Sequence, residues 1–304
     1  MDSLVTVCIT TYNRKKLLPL TLASILNQTY RNIEIIIVDD CSTDGTKKLV
    51  EEKLINLDSR IKYIRHKKNK GLASGRNTAL FNAKGRYFTF CDDDDELLTT
   101  YIEEFVNIAS NYSRNWCFCC ANIGMKKSNK MKLKNAILKG HTPPVASQFY
   151  FTDTLKQYSG YNEKVKSGVD HDLWLTLSFH NINIYFLNRR LSIPDSFSSD
   201  HIKMTTDFNK RIKGVESSLL IWKKKIILNY GNNFFTHFRK EYRVYLTRKI
   251  LIHCLRSKSI GPMYIHRKLI FRNLFSSFYS IVKAIVNKKI MGTNIPLFKA
   301  FKDA

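Results

Sequence analysis

Apolar positions in the first hundred residues switch between two periods. Leu4–Thr10 is a short continuous apolar run that ends in a Thr-Thr-Tyr-Asn turn, the signature of a strand buried on both faces. Leu17, Leu18, Leu22, Ile25 and Leu26 then recur at helical spacing. Ile33–Val38 is again continuous and β-branched and ends on Asp39-Asp40, after which Ser42 or Thr43 is expected to cap a helix reaching about Leu57. Ile61–Arg65 reads as a third strand, Ala73–Ala83 as a helix, and Tyr87–Cys91 as a fourth strand. Strand-helix alternation of this kind predicts an α/β fold with a mainly parallel sheet flanked by helices.

In such sheets ligands bind beyond the carboxyl ends of the strands. That rule makes the acids informative, because Asp39-Asp40 and Asp92-Asp93-Asp94-Asp95-Glu96 both follow strands directly. Carboxylates gathered at one rim repel one another, and a divalent cation neutralises them with hard oxygen ligands. An isolated acid pair reads as a solvated turn. The run DDDDE directly after RYFTFC reads as a metal site.

The segments VTVCITTYNR, NIEIIIVDDCSTDGT, NKGLASGRNTAL and AKGRYFTFCDDDDE, in this order and spacing, resemble the family 2 glycosyltransferases of the GT-A (Rossmann-like) fold. YNEKVKSGVDHDLWLTL is similar to the family's acceptor-side motif, so the resemblance runs from about Leu4 to His201. It implies an inverting transfer from a nucleotide-diphosphate sugar, UDP-linked by expectation, to a glycan or lipid-linked acceptor in bacterial surface polysaccharide or lipooligosaccharide synthesis. Thr11, Tyr12 and Asn13 fall on the turn that holds base and ribose, and Asp40 or Asp39 on the acid that binds the base. Arg76 and Asn77 match the pair beside the donor, while Asp92, with Asp93 next to it, faces the ribose or the metal shell. Asp92 and Asp94 occupy the DxD positions, with Asp94 the expected ligand of Mn²⁺ or Mg²⁺. A cation bridging the diphosphate stabilises the charge that develops on the leaving group. His201 is a further candidate metal or phosphate contact. Asp170 aligns with the catalytic base that the acceptor hydroxyl requires. Val169 departs from the acidic or amide residue common in the family before that base. If a helix starts here, Asp170 lies in its first turn, where a carboxylate also suits the helix dipole and either Asp170 or Asp172 could be an N-cap. Trp174 is expected in the core, and Thr142–Tyr150 beside the acceptor cleft.

Charge changes the picture of the last third. The chain of 304 residues carries a net +25, and residues from Asp200 onward hold 22 Lys and Arg against 5 Asp and Glu. Helical spacing recurs there in three stretches, around Ile212–Ile226, Phe234–Tyr245 and Phe271–Ile285, with Lys223-Lys224-Lys225, Arg239-Lys240, Arg267-Lys268 and Lys288-Lys289 among them. Residues 1–200 are therefore read as a catalytic domain and 201–304 as a basic amphipathic helical extension that caps the domain or docks on an anionic membrane surface. A nucleic-acid partner is the alternative for so basic a chain, yet no recognition-helix, zinc-finger or RNP signature is present, and no specific nucleic acid is expected. A relative that binds membranes or partners without turnover is a third reading. No stretch reaches the roughly 20 apolar residues of a spanning helix, and the apolar run at the amino terminus is too short for a signal peptide. Seven scattered cysteines, an odd number, suit buried strand thiols in a reducing compartment rather than a disulfide framework. The expected location is cytoplasmic and peripheral, at the inner face of the cytoplasmic membrane.

Overall fold

A computed structural model describes residues 3–120, 128–138, 147–194, 196–197 and 208–257. The first half alternates as its apolar runs dictate. Strand β1 (Val5–Thr11) is buried at all seven positions, with strands paired on both of its edges. Helix α1 (Leu18–Leu26) begins with Pro19 in its first turn and buries Leu18, Thr21, Leu22 and Ile25. Strand β2 (Ile33–Asp39) follows, then α2 (Thr46–Leu49), which runs on into a π-helical turn over Val50–Leu54. The expected cap at Ser42 or Thr43 does not form. Gly45 holds the N-cap position at φ 89°, a left-handed conformation that glycine reaches without a Cβ clash. Asp44 instead accepts from Thr46 N at 3.0 Å. Next come β3 (Ile61–Arg65), α3 (Leu72–Asn82) and β4 (Tyr87–Asp92).

The second half is less regular. It comprises β5 (Glu96–Leu97), α4 (Tyr101–Ala109), β6 (Trp116–Cys120), β7 (Asn129–Lys132), α5 (Leu133–Leu138), β8 (Gln148–Phe151), α6 (Thr152–Gln157), α7 (Val169–Phe179), β9 (Asn183–Leu187) and β10 (Ser192–Ile193). Eight strands form one sheet in the order β3-β2-β1-β4-β8-β6-β9-β7. Strands β3, β2, β1 and β4 are mutually parallel, as are β6 and β9. Between the two blocks lies β8, antiparallel to both β4 and β6. The expectation of a mainly parallel sheet flanked by helices therefore holds, with β8 as its seam.

The core lies where α1 and α4 cover the sheet. Ile9, Leu22, Ile25, Ile37, Tyr101, Phe105 and Phe149 all belong to it, and the rings of Phe105 and Phe149 stack with centroids 5.2 Å apart. Gly85 marks a close approach, since an added Cβ would sit 2.6 Å from Thr6 N. Cys41, which is half-buried, is unpaired in disulfides, and so are Cys8, Cys91, Cys117, Cys119 and Cys120, which are buried. Burial pushes their thiols up, which keeps them inert.

The described residues fall into two units divided after Asn232. The first unit therefore keeps the opening turns of the last helix among the described residues, α8 (Phe208–Ser257). Helical dihedrals break once along α8, at Gly231, where φ is 81°. In the second unit Phe234, Phe235 and Phe238 are buried and Thr247 Oγ1 donates to Arg243 O at 2.9 Å. The third basic helix expected around Phe271–Ile285 lies outside the described residues. Among the described residues no helix is long and apolar enough to cross a membrane.

Candidate active site

The carboxyl ends of β1, β2 and β4 meet at one rim of the sheet, as parallel register requires: Thr11 pairs Asp39, and Thr10 pairs Asp92. Asn13, just past β1, adopts φ 55°, a left-handed conformation that asparagine tolerates better than most residues. Its side-chain oxygen accepts from Thr43 N at 2.7 Å, and its own N–H donates to Ser42 Oγ at 2.9 Å. Asn13 thus knots the turn after β1 to the turn after β2. Thr11 is buried beside it, and Tyr12 is half-buried.

The two acids after β2 are inward-facing braces. Asp39 has no exposed surface; it accepts from Ser42 N at 2.8 Å and from the Tyr63 hydroxyl at 2.7 Å, with Arg65 Nε at 3.4 Å. Asp40 accepts from Lys70 N at 2.8 Å and Gly71 N at 2.7 Å, and pairs with His66 Nδ1 at 2.7 Å. His66 Nε2 lies 2.9 Å from Thr78 Oγ1. Asp40 therefore ties the loop after β3 to the start of α3 and so fixes where that helix begins.

Helix α3 carries Arg76 and Asn77 into the centre. Arg76 is fully buried, with its Cζ 3.9 Å from the centroid of the Phe90 ring. Nη2 donates to Asp92 Oδ1 at 2.9 Å and Nη1 to Asp170 Oδ1 at 2.7 Å. Burial alone would weaken its hold on the proton, but Asp170 and Asp92 outweigh it and keep the guanidinium charged. Asn77 grips the loop before α7: its amide donates to Tyr161 O at 2.8 Å and to Glu163 Oε1 at 3.0 Å, and its oxygen accepts from Tyr161 N at 2.8 Å. Asn77 thus spends its polar groups on protein partners, as do the two terminal nitrogens of Arg76, while Arg76 Nε is buried without a hydrogen-bond partner among the described residues.

Exposure alternates along the turn after β4: Asp92 and Asp94 are half-buried, Asp93 and Asp95 buried. Asp93 sits 3.9 Å from Arg14 Nε, and burial, with Asp94 and Asp92 nearby, pushes its carboxyl up to about 7. Asp92 and Asp94 are the less buried carboxylates of the four. Among the described residues no three His, Cys, Asp or Glu side chains come together as a metal cage. Two carboxylates on alternate positions fit a hard cation that takes its other ligands from substrate oxygens, as Mg²⁺ commonly does. His201 lies outside the described residues, and so do residues 142–146 of the expected acceptor segment.

Asp170 stands in the first turn of α7, whose N-cap is Gly168 at φ 76°; neither Asp170 nor Asp172 is the cap. Burial raises the Asp170 carboxyl above the usual carboxylate range, while Arg76 opposes that rise. Asp172 is buried and accepts from Trp222 Nε1 and Lys225 Nζ. Trp174 is core, as expected, and donates to the Tyr150 hydroxyl at 2.9 Å. Asp92, Arg76 and Asp170 therefore form one continuous chain of charge from the strand-end acids to the helix that follows them. Tyr63, His66 and Trp222 complete the surroundings and belonged to no motif, while Arg14, Tyr161 and Lys225 lay inside singled-out segments without a role of their own.

Residues 6–176 match the model of the family described as Glycosyl transferase family 2. An uncharacterized glycosyltransferase of Rickettsia felis is 32% identical over 193 residues, covering 59% of this chain and 31% of that protein. The chain thus spans about a third of that relative's length. The GalNAc(5)-diNAcBac-PP-undecaprenol beta-1,3-glucosyltransferase of Campylobacter jejuni is 28% identical over 218 residues, 67% of this chain and 68% of that one. Among solved structures, S. aureus TarS 1–349 in complex with UDP-GlcNAc superposes with a TM-score of 0.56 at 20% identity, over 89% of this chain and 79% of that one. That likeness extends to the GT-A fold.

Proposed function

Given that this chain belongs to glycosyl transferase family 2, we propose that it moves a sugar from a UDP-linked donor to a hydroxyl of a glycan or lipid-linked acceptor. The reaction inverts the anomeric carbon and serves synthesis of a bacterial surface polysaccharide or lipooligosaccharide. The observation that carries this reading is the chain Asp92–Arg76–Asp170, which sets a strand-end carboxylate and a half-buried base on the two terminal nitrogens of one guanidinium. The UDP donor is supported by the TarS complex with UDP-GlcNAc, and the acceptor class by the lipid-linked substrate in the Campylobacter enzyme's name.

Asp92 and Asp94 would hold Mn²⁺ or Mg²⁺, which supplies charge neutralisation for the departing diphosphate. Thr11, Tyr12 and Asn13 form the turn against which base and ribose rest, with Asp39, Asp40 and Asp93 bracing the rim beneath. Arg76 fixes Asp170 Oδ1, so Oδ2 takes the proton from the acceptor hydroxyl. The acceptor oxygen, freed of its proton, attacks the anomeric carbon from the face opposite the diphosphate. The carbon–oxygen bond to the diphosphate breaks as the new glycosidic bond forms, and UDP leaves with the electron pair. One displacement suffices, without an enzyme nucleophile.

Docking on the inner face of the cytoplasmic membrane is part of this proposal. Leu220 is 70% exposed and Leu228 86%, and exposed Lys223 and Lys224 lie between them on α8. Exposed leucines beside lysines suit an anionic lipid interface, where each basic residue contributes about 1 kcal/mol.

The test is UDP release from a panel of nucleotide sugars, with Mn²⁺, Mg²⁺ or EDTA, in the presence of undecaprenyl-diphosphate-linked acceptors. Release from one UDP-sugar that needs metal and is lost in Asp94→Ala and Asp170→Asn supports the reading. Silence across the panel together with no UDP binding by calorimetry sinks it.

A further inference from the structure

The first half of α8 grips α7 at three points along its length. Ser218 Oγ donates to the carbonyl of Ser167 at 2.8 Å, just before α7 begins. Trp222 Nε1 donates to Asp172 Oδ1 at 2.9 Å, and Lys225 Nζ lies 3.1 Å from each oxygen of the same carboxylate. The hydroxyl of Tyr230 donates to the carbonyl of Ser178 near the end of α7. The two segments approach so closely that a Cβ on Gly214 would lie 3.0 Å from Ser167 Cβ. Trp222 has no exposed surface and Asp172 is 1% exposed.

A buried carboxylate is an uneconomical way to gain stability. Desolvation of the ion pair offsets most of its attraction, and apolar side chains of the same volume hold two helices together at least as well. What a charged pair with a matched N–H donor does add is one defined register. Asp172 is two residues from Asp170 on the same helical turn, so whatever fixes the rotation and depth of Asp172 also fixes the base.

We propose that Trp222 and Lys225 are positioning residues for the transfer reaction, acting through Asp172 to hold Asp170 where it meets the acceptor hydroxyl. The opening turns of the basic helix are then part of the catalytic unit, whatever the rest of the helix binds. This inference rests on the reading of Asp170 as base. Charged and titratable groups facing Asp170 are Arg76 from α3, Asp92 from β4, Tyr150 from β8 and Tyr161 from the preceding loop; facing Asp172 is Lys225 from α8, beside the uncharged N–H of Trp222.

The experiment compares full-length wild type with Trp222→Phe, Lys225→Met and Lys225→Met/Asp172→Asn. Steady-state UDP release is followed from pH 5 to 9, UDP binding is measured by calorimetry, and folding is checked by circular dichroism and thermal melting. Misplacing the base predicts that kcat falls by about tenfold to a hundredfold in both single variants. Donor KM and UDP affinity stay within about twofold, because the donor rim is built from other strands. In Lys225→Met the carboxylate at 172 is left uncompensated beside the base, so the acid limb of kcat/KM moves to higher pH. Adding Asp172→Asn removes that charge and returns the limb to its wild-type position. Folded single variants with unchanged kcat overturn the inference, and so does a loss of kcat that tracks UDP affinity and melting temperature together. A wild type that neither binds nor releases UDP overturns the donor reading, and this inference falls with it.

Discussion

Replacing Arg76 by methionine keeps an unbranched apolar stem and removes the only charge between the two carboxylates that the guanidinium joins. Arg76 is fully buried, at 2.7 Å from Asp170 and 2.9 Å from Asp92, so little solvent screens the loss. Removing one partner of such a buried pair costs about 3–5 kcal/mol, because the other partner is stranded. Against a total stability of about 5–15 kcal/mol for a domain, the protein stays folded but is visibly weakened. Asp170 has an escape. Burial already raises its carboxyl, and without Arg76 the nearby charge of Asp92 raises it further, so protonation becomes easier. Each proton taken up relieves the stranded charge at the expense of the base. Urea denaturation should therefore show Arg76→Met weakened by about 3–5 kcal/mol. It should show Arg76→Met/Asp170→Asn recovering part of that loss, with a coupling of about 1–3 kcal/mol. UDP release at pH 7 should fall in Arg76→Met, and the acid limb of its pH profile should move to higher pH, because Asp170 holds its proton more tightly. Additivity of the two substitutions within about 0.5 kcal/mol, or unchanged turnover at pH 7, would refute the reasoning.

Other outcomes follow from the same geometry. A base acts only when ionised, so kcat/KM in the wild type should drop as pH falls through a pKa above the ordinary carboxylate range, and this limb should vanish in the residual activity of Asp170→Asn. EDTA should abolish UDP release and Mn²⁺ or Mg²⁺ should restore it. Asp94→Ala should lose about a hundredfold or more in kcat, as removal of a group that stabilises transition-state charge does; equal rates with and without EDTA would dismiss the cation. Gly85→Ala drives a Cβ against the backbone of Thr6 and Leu4, so thermal or urea denaturation should register a loss of about 1–3 kcal/mol.

Strands were legible where pairing on both edges demanded an unbroken apolar run. β1 and β2 each extend one residue past the expected stretch at their carboxyl ends, onto Thr11 and Asp39. The cap of α2 was misread because Ser42 has two other obligations: its N–H goes to Asp39 and its hydroxyl accepts from Asn13 N. Such competition between a local cap and a contact 29 residues away has no signature in a short window. The direction of β8 was hidden for a similar reason, since QFYF reads the same in either orientation and only its neighbours decide. The acids of the rim were visible as a group, but their division of labour was not. Asp40 looks like a ligand residue until Lys70, Gly71 and His66 fill its oxygens. An arginine in a helical pattern is ordinarily assigned to the surface. Arg76 is drawn inside by Phe90 and Asp92 from one strand and by Asp170 from far along the chain.

The seam at β8 also orders events in time. Arg76 and Asp92 are 16 residues apart in sequence, whereas Arg76 and Asp170 are 94 apart. The four parallel strands ending at β4 can close while the chain is still being synthesised, since amino-terminal parts fold first and short loops close most readily. At that stage the guanidinium is half-neutralised, and the edge of β4 that β8 will occupy is open. Completion of the sheet and arrival of α7 then satisfy both deficits, one with backbone hydrogen bonds and the other with a carboxylate. An unfinished chain is left with an unpaired sheet edge and a cation short of one partner, two features by which a cell's folding machinery can tell it from the finished enzyme.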